Sequence, residues 1–278
     1  MDNLYSQVSH KCSEIITRNY STSFSLGIVM FHKNIRQPIY SIYGFVRLAD
    51  EIVDTYKGEN RQQLLNEFRY ETFQAIHRKV SLNPVLHAFQ EVVNQYGILP
   101  EHIDAFLDSM EMDLNKVVHD QESYNRYIYG SAEVVGLMCL KIFCAGNEDQ
   151  YNKLEGYARS LGSAFQKVNF LRDMKSDYDD RGRVYFPDVD FDNFTLENKK
   201  RIEEEIKAEF VHAREGIRKL PPCCRLGVYS AYKYYLRLFE KIKGQPISTL
   251  LSQRIRVPNV EKLFVLTKSA VRLHLGIL

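Results

Sequence analysis

The 278-residue chain has no tryptophan, five cysteines, eight prolines and a formal net charge of only +2. Each scarcity narrows the possibilities. The cysteines (Cys12, Cys139, Cys144, Cys223, Cys224) are odd in number and show no ligand spacing. That pattern argues against a disulfide framework and suits a reducing compartment. There is no HExxH, no paired CxxC and no histidine cluster, so zinc is not expected. The near-neutral charge carries no nucleic-acid signal. Prolines fall mostly between periodic segments, and no Asn-Gly turn separates alternating runs, so β-structure has little support. No run reaches the ~18 apolar residues of a spanning helix. The first residues show neither a basic nor an apolar leader segment. The expected location is cytoplasmic, with membrane association left open. Nothing in the sequence accounts for the missing tryptophan.

What remains is helical almost throughout. With 45% hydrophobic residues, the chain can bury a sizeable core. Helical periodicity predicts segments at roughly 4–19, 37–56, 61–80, 84–95, 101–117, 123–145, 149–177, 196–219, 224–243 and 259–275. The 196–219 segment places Ile202, Ile206, Phe210, Ala213 and Ile217 on one face among charged residues, as an outer helix does. No repeat or linker stands out, so residues 1–278 read as one all-α domain.

Two acidic pairs carry the chemistry. Asp50 and Asp54 lie in Arg47-Leu-Ala-Asp50-Glu-Ile-Val-Asp54; Asp173 and Asp177 lie in Asn169-Phe-Leu-Arg172-Asp173-Met-Lys-Ser-Asp177. Residues four apart share a helix face, and like charges there cost a few tenths of a kcal/mol. A solvated face is the ordinary explanation for one such pair. Two copies, the first following Ile42, Tyr43, Phe45, Val46, Leu48 and Ala49, fit it poorly. Mg²⁺, with Mn²⁺ as a substitute, prefers oxygen donors and is commonly held by carboxylates plus substrate phosphates. The neighbouring arginines suit phosphate oxygens. In the segment 178–195 a calcium loop is excluded, because Asn193 and Lys199 stand where glycine and glutamate are needed. That segment reads instead as an ordered loop bringing Arg181, Arg183 and Tyr185 towards the acids.

These motifs resemble those of the squalene/phytoene synthases. Asn169-x-x-Arg172-Asp173-x-x-x-Asp177 with Arg181-Gly-Arg-Val-Tyr-Phe-Pro187 is similar to the family's second signature. Arg47-x-x-Asp50-x-x-x-Asp54 is similar to the first. Tyr127-Ile-Tyr129-Gly-Ser-Ala-Glu-Val-Val-Gly136 resembles its central helix, and Tyr20-Ser21-Thr-Ser23-Phe24 its flap. The likeness runs in family order from about residue 10 to about residue 265, closest to bacterial phytoene synthases. It implies a single-domain isoprenoid synthase helical fold with a central cavity. It also implies Mg²⁺-dependent head-to-head condensation of two geranylgeranyl diphosphates to phytoene through a cyclopropyl diphosphate, without NADPH. On that resemblance Asp50, Asp54, Asn169, Asp173 and Asp177 hold metal. Arg47, Arg172, Arg183, Tyr185 and, more remotely, Arg254 hold diphosphate. Ser21, Ser23 and Tyr43 line the diphosphate region, Gln166 points inward, and Phe24, Tyr127, Val134, Val135, Gly136 and Leu137 are cavity candidates. Capping explains Ser21 and Ser23 equally well, and core packing explains Tyr127, Val134 and Leu137. Glu51 and Glu133 depart from the family pattern.

The competing enzyme readings are a C30 squalene or dehydrosqualene synthase acting on farnesyl diphosphate, and a head-to-tail elongase, whose DDxxD motif is missing. The non-enzyme reading is a catalytically inactive family-like scaffold, which intact acids disfavour. A C-terminal stretch with Leu263, Phe264, Leu266, Val271, Leu273, Leu275, Ile277 and Leu278 among Lys262, Lys268 and Arg272 is expected to give peripheral contact with anionic bilayers.

Overall fold

The computed structural model describes residues 3–114, 119–187, 189, 191 and 193–274. Among them there is no strand. Helices α1 (Asn3–Tyr20), α2 (Thr22–Val29), α3 (Lys33–Asp50), α4 (Arg61–Arg78), α5 (Pro84–Tyr96) and α6 (Pro100–Met112) form the first half. Helices α7 (Gln121–Ile128), α8 (Val134–Cys144), α9 (Glu148–Arg181), α10 (Leu196–Lys219), α11 (Pro222–Lys243), α12 (Ile247–Leu250) and α13 (Asn259–His274) complete it.

The core is centred on α3. Phe45 is fully buried, stacked on Phe89 at 3.9 Å and flanked by Phe68 and Phe106 at 5.5 and 5.4 Å. Burial of one such ring contributes about 1.5–3 kcal/mol. Glycine lets α3 approach α1 closely: a Cβ at Gly44 would sit 2.8 Å from the Ser13 hydroxyl.

Several boundaries differ from the sequence reading. Helix α3 begins at Lys33, so Pro38 lies inside it. The carbonyl that Pro38 cannot satisfy belongs to exposed Asn34, where water can serve. The 37–56 segment is α3 followed by a π-helical turn, Glu51–Thr55, and the 123–145 segment is α7 and α8 joined by a second one, Tyr129–Glu133. Such turns frequently mark functional sites. The second is clamped by close backbone approach: Cβ atoms at Gly130 and Gly162 would lie 2.3 Å from Ala105 O and 2.7 Å from Ala132 O. Helix α6 ends at Met112, and residues 115–118 of the 101–117 segment lie outside the described residues. Helix α2, which Ser21 caps through its hydroxyl, was not anticipated. Gln121–Cys144 is long and apolar enough to cross a membrane by length and composition, but most of it is buried inside the fold.

Candidate active site

Helix α3 ends at Asp50, the π-helical turn after it carries Asp54, and α9 carries Asp173 and Asp177 towards its C-terminal end; both helices line one apolar cavity of about 260 Å³, α3 through Ile39. On α9 the lining extends from Leu154 to Gln166, about 18 Å of helix at 1.5 Å per residue. Gln166 marks the polar end: its amide nitrogen reaches Ser131 Oγ at 3.4 Å, and its oxygen accepts from Asn169 at 3.5 Å. Phe31 and Phe143, in ring contact at 5.3 Å, lie at the far end. Small residues (Ala132, Gly136, Ala158, Gly162, Ala213, Gly216) keep the space open. A medium this apolar excludes water from reactive cations.

At the mouth, arginines hold the acids. Arg47 pairs with Glu51 and lies 3.7 Å from Asp50. Its guanidinium also sits over the Tyr20 ring at 4.4 Å, and its buried Nε has no partner. Arg183 bonds Asp54 Oδ1 at 3.1 Å, Tyr185 OH at 3.2 Å and the Asp113 carboxylate at 3.2 Å. Arg172 and Arg254 both grip Asp173, at 2.5 and 2.8 Å. Asp177 is buried below them, and Tyr235 donates to Asn169 at 3.3 Å. Burial pushes the Asp50 carboxyl up to about 7, with Arg47 opposing and Asp54, Asp113 and Glu51 adding to the rise. About 31% of its side-chain surface is still reached by water, so screening tempers the energy that shift implies. Arg172 and Arg183 stay fully charged, their carboxylate and tyrosine neighbours outweighing the burial that opposes it.

Sequence reasoning missed Asp113. It is buried, accepts from Tyr127 OH at 2.8 Å and Tyr185 OH at 3.3 Å, and burial raises it to about 6. Its signal was a lone acid between Met112 and Leu114. His119 also packs there, its ring 5.3 Å from Tyr127 and stacked at 5.9 Å on Tyr185. Of the cavity candidates, Phe24, Val135, Gly136 and Gln166 line the space. Tyr127, Val134 and Leu137 do not, and are buried in the core. Phe24 stacks on Tyr43 at 4.7 Å. Ser21 caps α2, and Ser23 lies half-buried on that helix. Glu133 pairs with Arg159 at 2.6 Å and stays out of the cavity. The Arg181 side chain lies outside the described residues.

Among the described residues no three acid, histidine or cysteine side chains are gathered to hold an ion as they stand. The donor type nonetheless fits a hard divalent cation: carboxylates and an amide oxygen, with buried negative charge left only partly offset at Asp50 and Asp113.

A family model described as squalene/phytoene synthase matches residues 17–261. The chain belongs to the squalene/phytoene synthase family. This is a family of head-to-head prenyltransferases that bind allylic diphosphates. The phytoene synthase of Arthrospira platensis is 30% identical, across 95% of this chain and 93% of its own. The 4,4'-diapophytoene synthase of Staphylococcus haemolyticus is 25% identical, across 70% of this chain and 67% of its own. A crystal structure of a dehydrosqualene synthase with ligand superposes with a TM-score of 0.84 at 22% identity, covering 97% of this chain and 98% of that one. The isoprenoid synthase helical fold expected from the motifs is therefore the fold observed.

Proposed function

We propose that this family member condenses two geranylgeranyl diphosphates head to head, giving phytoene through a cyclopropyl diphosphate. The reading is supported by two acid–arginine clusters, Arg183 with Asp54 and Arg172 with Asp173, the second beyond Gln166 on the helix that lines an apolar cavity and linked to it through Asn169. Full-length similarity to a phytoene synthase supports the C20 substrate.

Asp50, Asp54, Asn169, Asp173 and Asp177 would hold Mg²⁺, which supplies electrophilic stabilisation of charge developing on a departing diphosphate. Arg47, Arg172, Arg183 and Arg254, released from their acids, would bind diphosphate oxygens in bidentate fashion. Tyr185 would assist through its hydroxyl. The cavity walls, which include the aromatic side chains of Phe24 and Phe165, would position the two chains and exclude water from the allylic cation. A first ionisation would release one diphosphate, and attack by the second chain's double bond with loss of a proton would close the cyclopropyl diphosphate; a second ionisation would release the other diphosphate, and ring opening with loss of a second proton would complete the reaction with no reductant. A C30 reading with farnesyl diphosphate is kept because a diapophytoene synthase is also a relative.

Product analysis tests this: Mg²⁺ with each diphosphate separately, with and without NADPH. Phytoene from the C20 substrate without NADPH is expected. A C30 product from farnesyl diphosphate alone moves the assignment to that branch, and no product from either overturns the enzyme reading.

A further inference from the structure

Glu133 ends the π-helical turn Tyr129–Glu133 and does not itself line the cavity. Its side chain is only 14% exposed, and it accepts from Arg159 Nε at 2.6 Å across the seam between α8 and α9. A carboxylate this withdrawn from water is costly without such a partner. The same guanidinium lies 5.2 Å from the ring centroid of Tyr129, the first residue of the turn. One arginine of α9 therefore touches both ends of the turn. Between those ends Ser131 and Ala132 line the cavity, and on α9 so do Ala158 and Gly162, which flank Arg159 in sequence.

The turn decides which residues of α8 reach the cavity. The Val134 amide bonds the Tyr129 carbonyl five residues back, so the turn holds one residue more than an α-helical one. One residue corresponds to about 100° of rotation. Counted at helical spacing from Ile128, an uninterrupted helix would carry Val135, Met138, Cys139 and Ile142 on one face. The wall observed is Val135, Gly136, Cys139, Leu140 and Phe143, with Met138 and Ile142 in the core. Both flanks are fixed: Tyr127 donates to Asp113 at 2.8 Å, and Lys141 to Glu148 at 2.8 Å. An extra residue between fixed ends cannot be lost, but it can pass along the helix and turn each residue it crosses.

We propose that the Glu133–Arg159 pair pins this turn in place and so acts as a positioning pair for chain-length selectivity. Released, the turn moves towards the C-terminal end of α8; Gly136 then leaves the wall and Met138 enters it. Gly136 faces α9 closely, since a Cβ there would lie 3.3 Å from Ala158 O. The exchange narrows the cavity at that point and disfavours the longer prenyl chain. The role in selectivity rests on the proposed condensation; the pinning of the turn does not.

Two measurements on Glu133→Ala, Arg159→Ala, the double variant and Glu133→Gln test it. One is competition between equimolar farnesyl and geranylgeranyl diphosphate with Mg²⁺; the other is hydrogen exchange of segment 129–140 in the substrate-free protein. The ratio of C20-derived to C15-derived product should fall about fivefold in each alanine variant. It should fall no further in the double variant, because the two residues act as a unit. Glu133→Gln keeps an acceptor for Arg159 Nε and should retain most of the wild-type ratio. Segment amides should exchange faster in the alanine variants and near the wild-type rate in Glu133→Gln. A lowered melting temperature with ratio and exchange unchanged would overturn the proposal, as would shifts that add in the double variant. Wild type that turns over neither diphosphate refutes the proposed reaction instead, and the exchange comparison then decides the pinning by itself.

Discussion

Replacing Asp50 by asparagine should stabilise the metal-free protein while destroying its activity. Burial raises the Asp50 carboxyl from 3.8 to about 7. The folded state therefore keeps a proton that the unfolded chain releases, and stability falls as pH rises between about 4 and 7. The full shift corresponds to about 4 kcal/mol. With 31% of the side chain reached by water, screening reduces the expected cost to about 1–2 kcal/mol. Asparagine keeps the shape and removes the charge, and Arg47 retains Glu51. Chemical unfolding in EDTA should show Asp50→Asn more stable than wild type by about 1–2 kcal/mol at pH 8, with the two converging towards pH 5. Asp113, raised to about 6, leaves the variant a smaller slope of the same sign. Mg²⁺ with diphosphate should stabilise wild type more than the variant. Turnover should drop by about two orders of magnitude or more, as it should for Asp173→Asn. A variant less stable than wild type at pH 8 refutes the buried-charge reasoning, and retained turnover in both variants refutes the metal reading.

Asp113→Ala leaves the Tyr127 hydroxyl buried without its acceptor and should lower unfolding stability by about 1–3 kcal/mol; it should also raise KM, since Arg183 loses a positioning contact, with Asp113→Asn milder in both. Ala158→Phe places a ring in the cavity wall, so competition between C15 and C20 substrates should shift towards the shorter chain, read by product chromatography. Helix α13 exposes Val260, Phe264 and Val271 beside Lys268, whose ammonium lies 5.7 Å from the Phe264 ring centroid. Phe264→Ser should therefore weaken co-sedimentation with anionic vesicles at low salt; an unchanged bound fraction counts against that face.

The motifs were legible because they are short and read along one helix face. Asp50 and Asp54, or Asn169, Asp173 and Asp177, need only helical spacing to be placed together. Residues brought in from other elements left a fainter trace. Asp113 sits just beyond α6, where nothing local announces that Tyr127 and Tyr185 donate to it. Cavity lining was half legible for a related reason. Periodicity identifies an inward face, but α8 presents Val135 and Gly136 to open space and Val134 and Leu137 to packed neighbours. Those pairs differ by one helical step, which no hydrophobic pattern separates. The π-helical turns were invisible because their composition matches the helices they interrupt. Of the C-terminal stretch expected to meet a bilayer, Leu275, Ile277 and Leu278, and the side chains of Leu263, Leu266 and Leu273, lie outside the described residues.

The arrangement of charges at the mouth explains how acids and arginines can share so small a space. Each arginine is a counter-ion to an acid, and under the proposed function it would be released to the diphosphate. Arg183 spans Asp54 and Asp113, while Arg172 and Arg254 converge on Asp173. A cation arriving alone would strand the guanidiniums, and a diphosphate arriving alone would strand the carboxylates. Stranding a buried charge costs several kcal/mol. On the proposed metal reading, cation and diphosphate arriving together would exchange one set of pairs for another without leaving any charge unmatched. Glu51 sharpens this exchange. Its longer side chain reaches back one turn to Arg47, so that guanidinium is held by a residue outside the expected metal set. Asp50 keeps its proton chiefly because it is buried, with Arg47 only partly opposing that and Asp54, Asp113 and Glu51 adding to it.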